Sequence, residues 1–111
     1  MDELQTLSAL NALSHQTRLA AFRLLVAREP KGMPAGELAR ALGVPQNTLS
    51  THLAILSQAG LVGGARHGRS ITYRTDLEKF RHIMLFLLKD CCAGRPEVCE
   101  PLVAALSPCC P

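Results

Sequence analysis

The sequence predicts a mainly helical fold, a winged helix-turn-helix with the order α-α-α-α-β-β-α, expected to pair as a homodimer. Three observations carry this expectation. Residues 44–62, VPQNTLSTHLAILSQAGLV, repeat Leu49, Leu53 and Leu56 at i, i+4 and i+7, one buried stripe of a helix. A shorter helical stretch over 35–42 precedes it, and Gly43-Val44-Pro45 between them makes a tight turn. After Val62 the pattern changes to an alternating, basic segment over 63–74 that reads as a hairpin.

Taken in order, residues 2–13 place leucines at 4, 7, 10 and 13. A three-residue spacing precesses around a helix, so this helix needs cover on more than one side, which suggests a subunit contact. Ser14 is a plausible N-cap for a second helix over 15–28, with Leu19, Phe22 and Val26 as core stripe and Leu25 beside it. Glu29-Pro30-Lys31-Gly32 is a turn. In the helix that carries Leu49, Leu53 and Leu56, Pro45 fits the first turn, where its missing N–H costs nothing. Gly60 supplies a left-handed C-cap.

The wheel of that helix sets Asn47, Ser50, Thr51 and Ala54 away from the leucine stripe, and Gln46 in its first turn is a further candidate DNA contact. This face is small and hydrogen-bonding, and no acidic residue follows until Asp76. His52 lies on the flank of the stripe, suited to packing or to a phosphate. The hairpin turns near His67-Gly68-Arg69, with Ile71 and Tyr73 on one strand face and Thr72 and Arg74 on the other. Asp76 can cap a last helix over 77–90 that buries Leu77, Phe80 and Met84 in its first turns. The second half, 83–88, is apolar all round, as expected of a helix held between two subunits. Gly94 and Pro96 stop it, and 95–111, with four prolines, reads as an irregular tail.

Composition narrows the function. The chain of 111 residues, 48% hydrophobic, allows one modest core. Its longest strongly apolar run, 83–88, is far short of the ~20 residues of a membrane span, and the N-terminus lacks a signal-peptide pattern, so a cytoplasmic location is expected. The net charge of +3 is mild but uneven: Arg66, His67, Arg69 and Arg74 cluster in the hairpin without an acid. A local basic patch beside a polar helix face implies double-stranded DNA as partner, with the helix in the major groove and the wing on phosphates or the minor groove. No cofactor motif or nucleophile–base pair stands on a recognisable scaffold, so an enzyme is not expected. All five cysteines lie at or beyond position 91, dividing the chain into a winged-helix DNA-binding and dimerisation domain, 1–90, and a cysteine-rich segment, 91–111. In a reducing compartment such clustering reads as metal binding or thiol chemistry before structural disulfides.

Four stretches, ALSHQTRLAAFRLL (12–25), LARALGVPQNTLSTHLAILSQAGLV (38–62), RHGRSITYR (66–74) and KDCCAGRPEVC (89–99), together resemble the ArsR/SmtB family of homodimeric winged-helix repressors. The resemblance implies repression from a palindromic operator and release when a metal or metalloid binds. It also implies where to look for the sensor. The family's Cys-x-Cys arsenite pair on the helix before the recognition helix has no match, because 35–42 holds no cysteine. Its zinc set on the last helix is matched by Asp76, Glu78 and His82 only, with no His or Glu in the C-terminal half to complete it. Cys91, Cys92 and Cys99 match a subgroup that binds arsenite with two adjacent cysteines and a third shortly after.

The chemistry agrees with that match. Soft thiolates select soft acceptors such as trivalent arsenic, and antimonite is expected to cross-react. Adjacent helical residues point ~100° apart, so Cys91 and Cys92 can face one centre only where the helix ends, as Gly94 permits. Lys89 and Arg95 favour the thiolate form. Cys109 and Cys110 can capture arsenic, complete a four-sulfur zinc site, or do neither. A sensor of thiol oxidation, or of cadmium or zinc, on the same fold is the alternative. His15 and His82 read as capping or solvated residues, and Arg18 as a structural or backbone contact.

Overall fold

The computed structural model describes residues 3–88 and 96–106. Helix α1 (Glu3–Leu13) is followed by α2 (Gln16–Ala27), the short strand β1 (Met33–Pro34), α3 (Ala35–Leu42) and α4 (Gln46–Gln58). Strands β2 (Val62–His67) and β3 (Ser70–Thr75) form the wing, and α5 (Leu77–Leu88) and α6 (Pro96–Leu106) complete the order. The winged helix-turn-helix expectation is met, with one strand and one helix added. Among the described residues no helix is long and apolar enough to cross a membrane.

The core forms where the three central helices meet. Leu49, Leu53 and Leu56 of α4 are fully buried, together with Leu25 of α2 and Leu38 of α3. Helix α2 turns a different edge inward than its leucine spacing suggests. Ala21, Phe22 and Leu25 are buried, whereas Leu19 and Val26 are 44% and 39% exposed. Phe22 packs at a tilt on Phe80 of α5, ring centroids 5.2 Å apart, an aromatic contact on the inward edge of α2. His15, not Ser14, caps α2, its Nδ1 accepting from the Thr17 amide at 3.1 Å.

Helix α1 turns its small residues inward as well. It buries the small residues Thr6, Ala9 and Ala12, while Leu4, Leu7 and Leu10 face outward. Small residues let α1 lie close against its neighbours, which leaves its leucines as an uncovered apolar row. On α5, Ile83 is the fully buried residue; Phe80 and Met84 are half-buried, and Leu77 is exposed rather than covered. Leu85 is exposed as well. Asp76 caps this helix as expected, its Oδ1 accepting from the Lys79 amide at 3.0 Å.

The helix-turn-helix turn follows glycine chemistry. Gly43 ends α3 at φ 68°, and the Val44 amide bonds back to the Ala39 carbonyl at 3.1 Å. Pro45 stands one place earlier than expected, at the N-cap of α4, in an extended conformation. The sheet has the order β1-β3-β2, both pairings antiparallel. Gly64 lies opposite Tyr73; a Cβ there would come within 2.9 Å of Ile71 Cγ2 and 3.1 Å of the Tyr73 ring, so only glycine leaves that ring its place.

A carboxylate ties the wing to the turn after α2. Glu29 Oε1 accepts from Thr75 Oγ1 at 2.6 Å, and Oε2 pairs with Arg74 Nη2 at 3.0 Å. Those hydrogen bonds, Thr75 first and Arg74 second, hold the Glu29 carboxyl below the usual carboxylate range.

The region expected to be an irregular tail contains a regular helix over 96–106. Proline suits the first helical position, and Glu97 stands in the first turn, where a negative charge is favoured. Pro101 removes one internal hydrogen bond, and Ala104-Ala105-Leu106 are strong helix formers that carry α6 past it.

Candidate nucleic-acid interface

The outer face of α4 is built from its own helical register. With Leu49, Leu53 and Leu56 locked in the core, Gln46, Asn47, Ser50 and Thr51 stand on the exposed side. Two hydroxyls bond back to the helix: Ser50 Oγ donates to the Gln46 carbonyl at 3.0 Å and Thr51 Oγ1 to the Asn47 carbonyl at 3.4 Å. Each hydroxyl oxygen retains acceptor capacity directed outward. Asn47 Oδ1 accepts from the Thr48 amide at 2.9 Å, which leaves the amide NH₂ available.

The wing brings its basic residues alongside. Arg66 pairs with Ile71 and His67 with Ser70, and Gly68, at φ 64° with open space where a Cβ would stand, makes the turn. Arg66, His67 and Arg69 are all exposed. Arg69 lines one open cleft with Gln46 and Ser50 of α4 and Arg40 of α3, so the structure joins the helix face to the wing on one side of the molecule. Arg40 was not singled out by the sequence. With Leu38 and Ala39 buried, Arg40 faces outward just ahead of the turn, a placement that only the assembled helices reveal.

His52 sits apart from this group. Its ring is half-buried, stacked at a tilt on His15 with centroids 4.5 Å apart, and its Nδ1 lies 3.3 Å from Arg18 Nη1. Burial first, then the charges of His15 and Arg18, lower its pKa from the ordinary imidazole value. Arg18 also donates from Nε to the Ala12 carbonyl at 2.6 Å, the backbone contact expected of it.

Cys91, Cys92, Cys109 and Cys110 lie outside the described residues, and Cys99 falls within α6. Among the described residues no three His, Cys, Asp or Glu side chains assemble a metal site. Of the partial set on α5, Asp76 caps the helix, while Glu78 pairs with Arg81 and lies 3.4 Å from His82 Nε2.

A helix-turn-helix with an attached basic wing, presenting both on one side, defines a winged-helix protein of the DNA-binding class. A family model described as a helix-turn-helix domain matches residues 13–63. The biofilm growth-associated repressor of Xylella fastidiosa is 33% identical over 88 residues, covering 79% of this chain and 75% of that protein. The HTH-type transcriptional repressor SmtB of Mycobacterium tuberculosis is 49% identical over 49 residues, 44% of this chain but only 36% of its own length. Among solved structures, the ArsR-like transcriptional regulator from Rhodococcus sp. RHA1 superposes with a TM-score of 0.70 at 26% identity, covering 94% of this chain and 92% of that one. The chain belongs to the ArsR/SmtB family of winged helix-turn-helix regulators.

Proposed function

We propose that this protein is an arsenite-responsive transcriptional repressor, binding operator DNA as a homodimer in the cytoplasm and releasing it when As(III) binds Cys91, Cys92 and Cys99. The observation that carries the DNA-binding half is the shared cleft. It sets Gln46 and Ser50 of the recognition helix beside Arg69 of the wing and Arg40 of α3, bases and backbone contacts in one footprint. The relatives named as repressors point the same way. Two copies joined through the exposed leucines of α1 and α5 would hold their recognition helices about one helical turn of DNA apart.

The arsenite half rests on donor chemistry. Three thiols within nine residues, flanked by Lys89 and Arg95, suit a soft three-coordinate ion far better than a hard cation. Driving an operator-competent population from 99:1 to 1:99 takes roughly 5.5 kcal/mol of differential affinity, within reach of three thiolate bonds. Antimonite offers the same chemistry and should cross-react.

The test is fluorescence anisotropy on a labelled duplex, selected for binding from a random-sequence pool, titrated with arsenite under reducing conditions. Release of wild type but not of Cys99→Ser supports the whole reading. Tight binding without release in either protein discards arsenite; peroxide, cadmium and zinc titrations then decide between a thiol-redox and a metal signal. Absence of duplex binding removes the repressor reading itself.

A further inference from the structure

A short polar chain holds the recognition helix to the corner between α1 and α2. Arg18 donates from Nε to the Ala12 carbonyl near the end of α1, and from Nη1 toward His52 Nδ1 on α4. A guanidinium has only donors, so Nδ1 must accept, which requires a neutral His52 with its proton on Nε2. His15 stacks on the same ring while its own Nδ1 caps α2. One arginine therefore joins α1, α2 and α4, and an imidazole is the last link.

We propose that Arg18 and His52 are positioning residues for DNA binding, fixing α4 against the α1–α2 corner, and that this link exists only while His52 is uncharged. The inference rests on the DNA-binding reading above. Protonating His52 turns Nδ1 from acceptor to donor, facing the Arg18 donor. It also adds a positive charge between His15 and Arg18. The charges acting on His52 are those two. Helix α1 carries a single ionisable residue among those described, Glu3, at its opposite end. Glu37 and Arg40 of α3 line the cleft of Gln46 and Ser50, and Ser50 is about 200° round α4 from His52. Among the described residues no carboxylate acts on the ring to welcome the proton.

The half-buried, cationic setting favours the neutral ring, in keeping with the lowered pKa. The sign follows. The unfolded chain binds the proton more tightly than the folded one, so the contribution is complete above the ordinary histidine value of about 6.5 and is lost as pH falls through the lower folded value.

The test compares wild type, His52→Asn and Arg18→Met between pH 7.5 and 5.5. The readouts are anisotropy on the selected duplex and the ring nitrogen and proton shifts of His52 by NMR. Asn keeps an acceptor near the Nδ1 position and cannot charge, and every other side chain is common to the two proteins, so the ratio of wild type to His52→Asn isolates His52. That ratio should fall about tenfold on acidification, the factor expected for one hydrogen bond to a charged group. His52 should be the Nε2–H tautomer at pH 7.5, with a midpoint below 6.5 that rises in Arg18→Met. A ratio that is flat or rises on acidification overturns the proposal, the latter because it would mark His52 as a phosphate contact. A His52 ring with mixed tautomers titrating at the ordinary value overturns it without reference to DNA. Failure of every protein to bind duplex at pH 7.5, with His52 titrating as described, would locate the error in the DNA-binding reading instead and remove the positioning role with it.

Discussion

Thr75 donates its hydroxyl to Glu29 at 2.6 Å, joining the last residue of the wing to the turn after α2 across 46 positions of sequence. The same carboxylate takes Arg74 on its other oxygen. Glu29→Ala should therefore destabilise the fold by about 1 kcal/mol, the net worth of a side-chain hydrogen bond, leaving Thr75 without its partner. The pH dependence has a definite sign. With the folded pKa of Glu29 lowered from 4.5, its contribution is complete above that value and disappears as pH falls through the folded one. Urea denaturation at pH 7 and pH 3 checks both: the gap between wild type and Glu29→Gln should narrow in acid, and a constant gap would contradict the assignment.

Gly32 and Gly43 both have positive φ, 74° and 68°, but in different surroundings. A Cβ on Gly32 would stand 2.2 Å from the Tyr73 carbonyl oxygen, whereas nothing lies within 4 Å of one on Gly43. Gly43→Ala should cost only the left-handed backbone term, about 1 kcal/mol. Gly32→Ala should cost about 2–3 kcal/mol, because β3 must shift as well. Equal thermal shifts for the two variants would show that β1 and β3 do not approach as described.

Charge on the wing should be read by salt. Arg66→Ala and Arg69→Ala are each expected to weaken binding to every duplex alike and to lower the slope of log K against log[salt] by about 1. Arg40→Ala should do the same, being exposed beside Arg69. Unchanged slopes would exclude these side chains as phosphate contacts.

Leu7 and Leu85 are 54% and 48% exposed. Burying the exposed half of such side chains against a second copy gains about 1 kcal/mol each, so Leu7→Asp and Leu85→Lys should shift the protein toward monomer in sedimentation velocity without unfolding it. A dimer that persisted in both variants would place the subunit contact elsewhere.

Cys91→Ser, Cys92→Ser and Cys99→Ser should each keep duplex affinity near wild type and resist release by arsenite. Loss of affinity in arsenite-free buffer would make those cysteines structural instead.

The recognition helix, the turn before it and the hairpin were legible because each is written in local chemistry: a leucine stripe at 49, 53 and 56, Gly43 before Pro45, and alternation through Ile71 and Tyr73. Strand β1 was not, since two residues, one of them Pro34, carry no period. Its existence is a tertiary matter, settled by Met33 pairing with Tyr73. The inward edge of α2 was misjudged, and that of α1 left unassigned, for a related reason. Leucine spacing shows which residues are apolar, but Ala9, Ala12 and Ala21 were chosen by how closely the helices approach. Helix α6 was hidden by its prolines. Of the interface, the exposed face of α4 and the wing tip could be read directly, whereas Arg40 and the Arg18–His52 link required knowing which helices meet.

Because β3 is hydrogen-bonded on both sides, to β2 and to β1, and α3 begins at the residue after Pro34, the hairpin is not a free flap. Tilting the wing must drag the start of α3, and with it the turn that carries the reading helix. Wing, α3 and α4 are thereby joined like one hand through β1. On the repressor reading proposed above, an inducer would have only to turn the wrist, where two copies meet, to lift that hand from the groove.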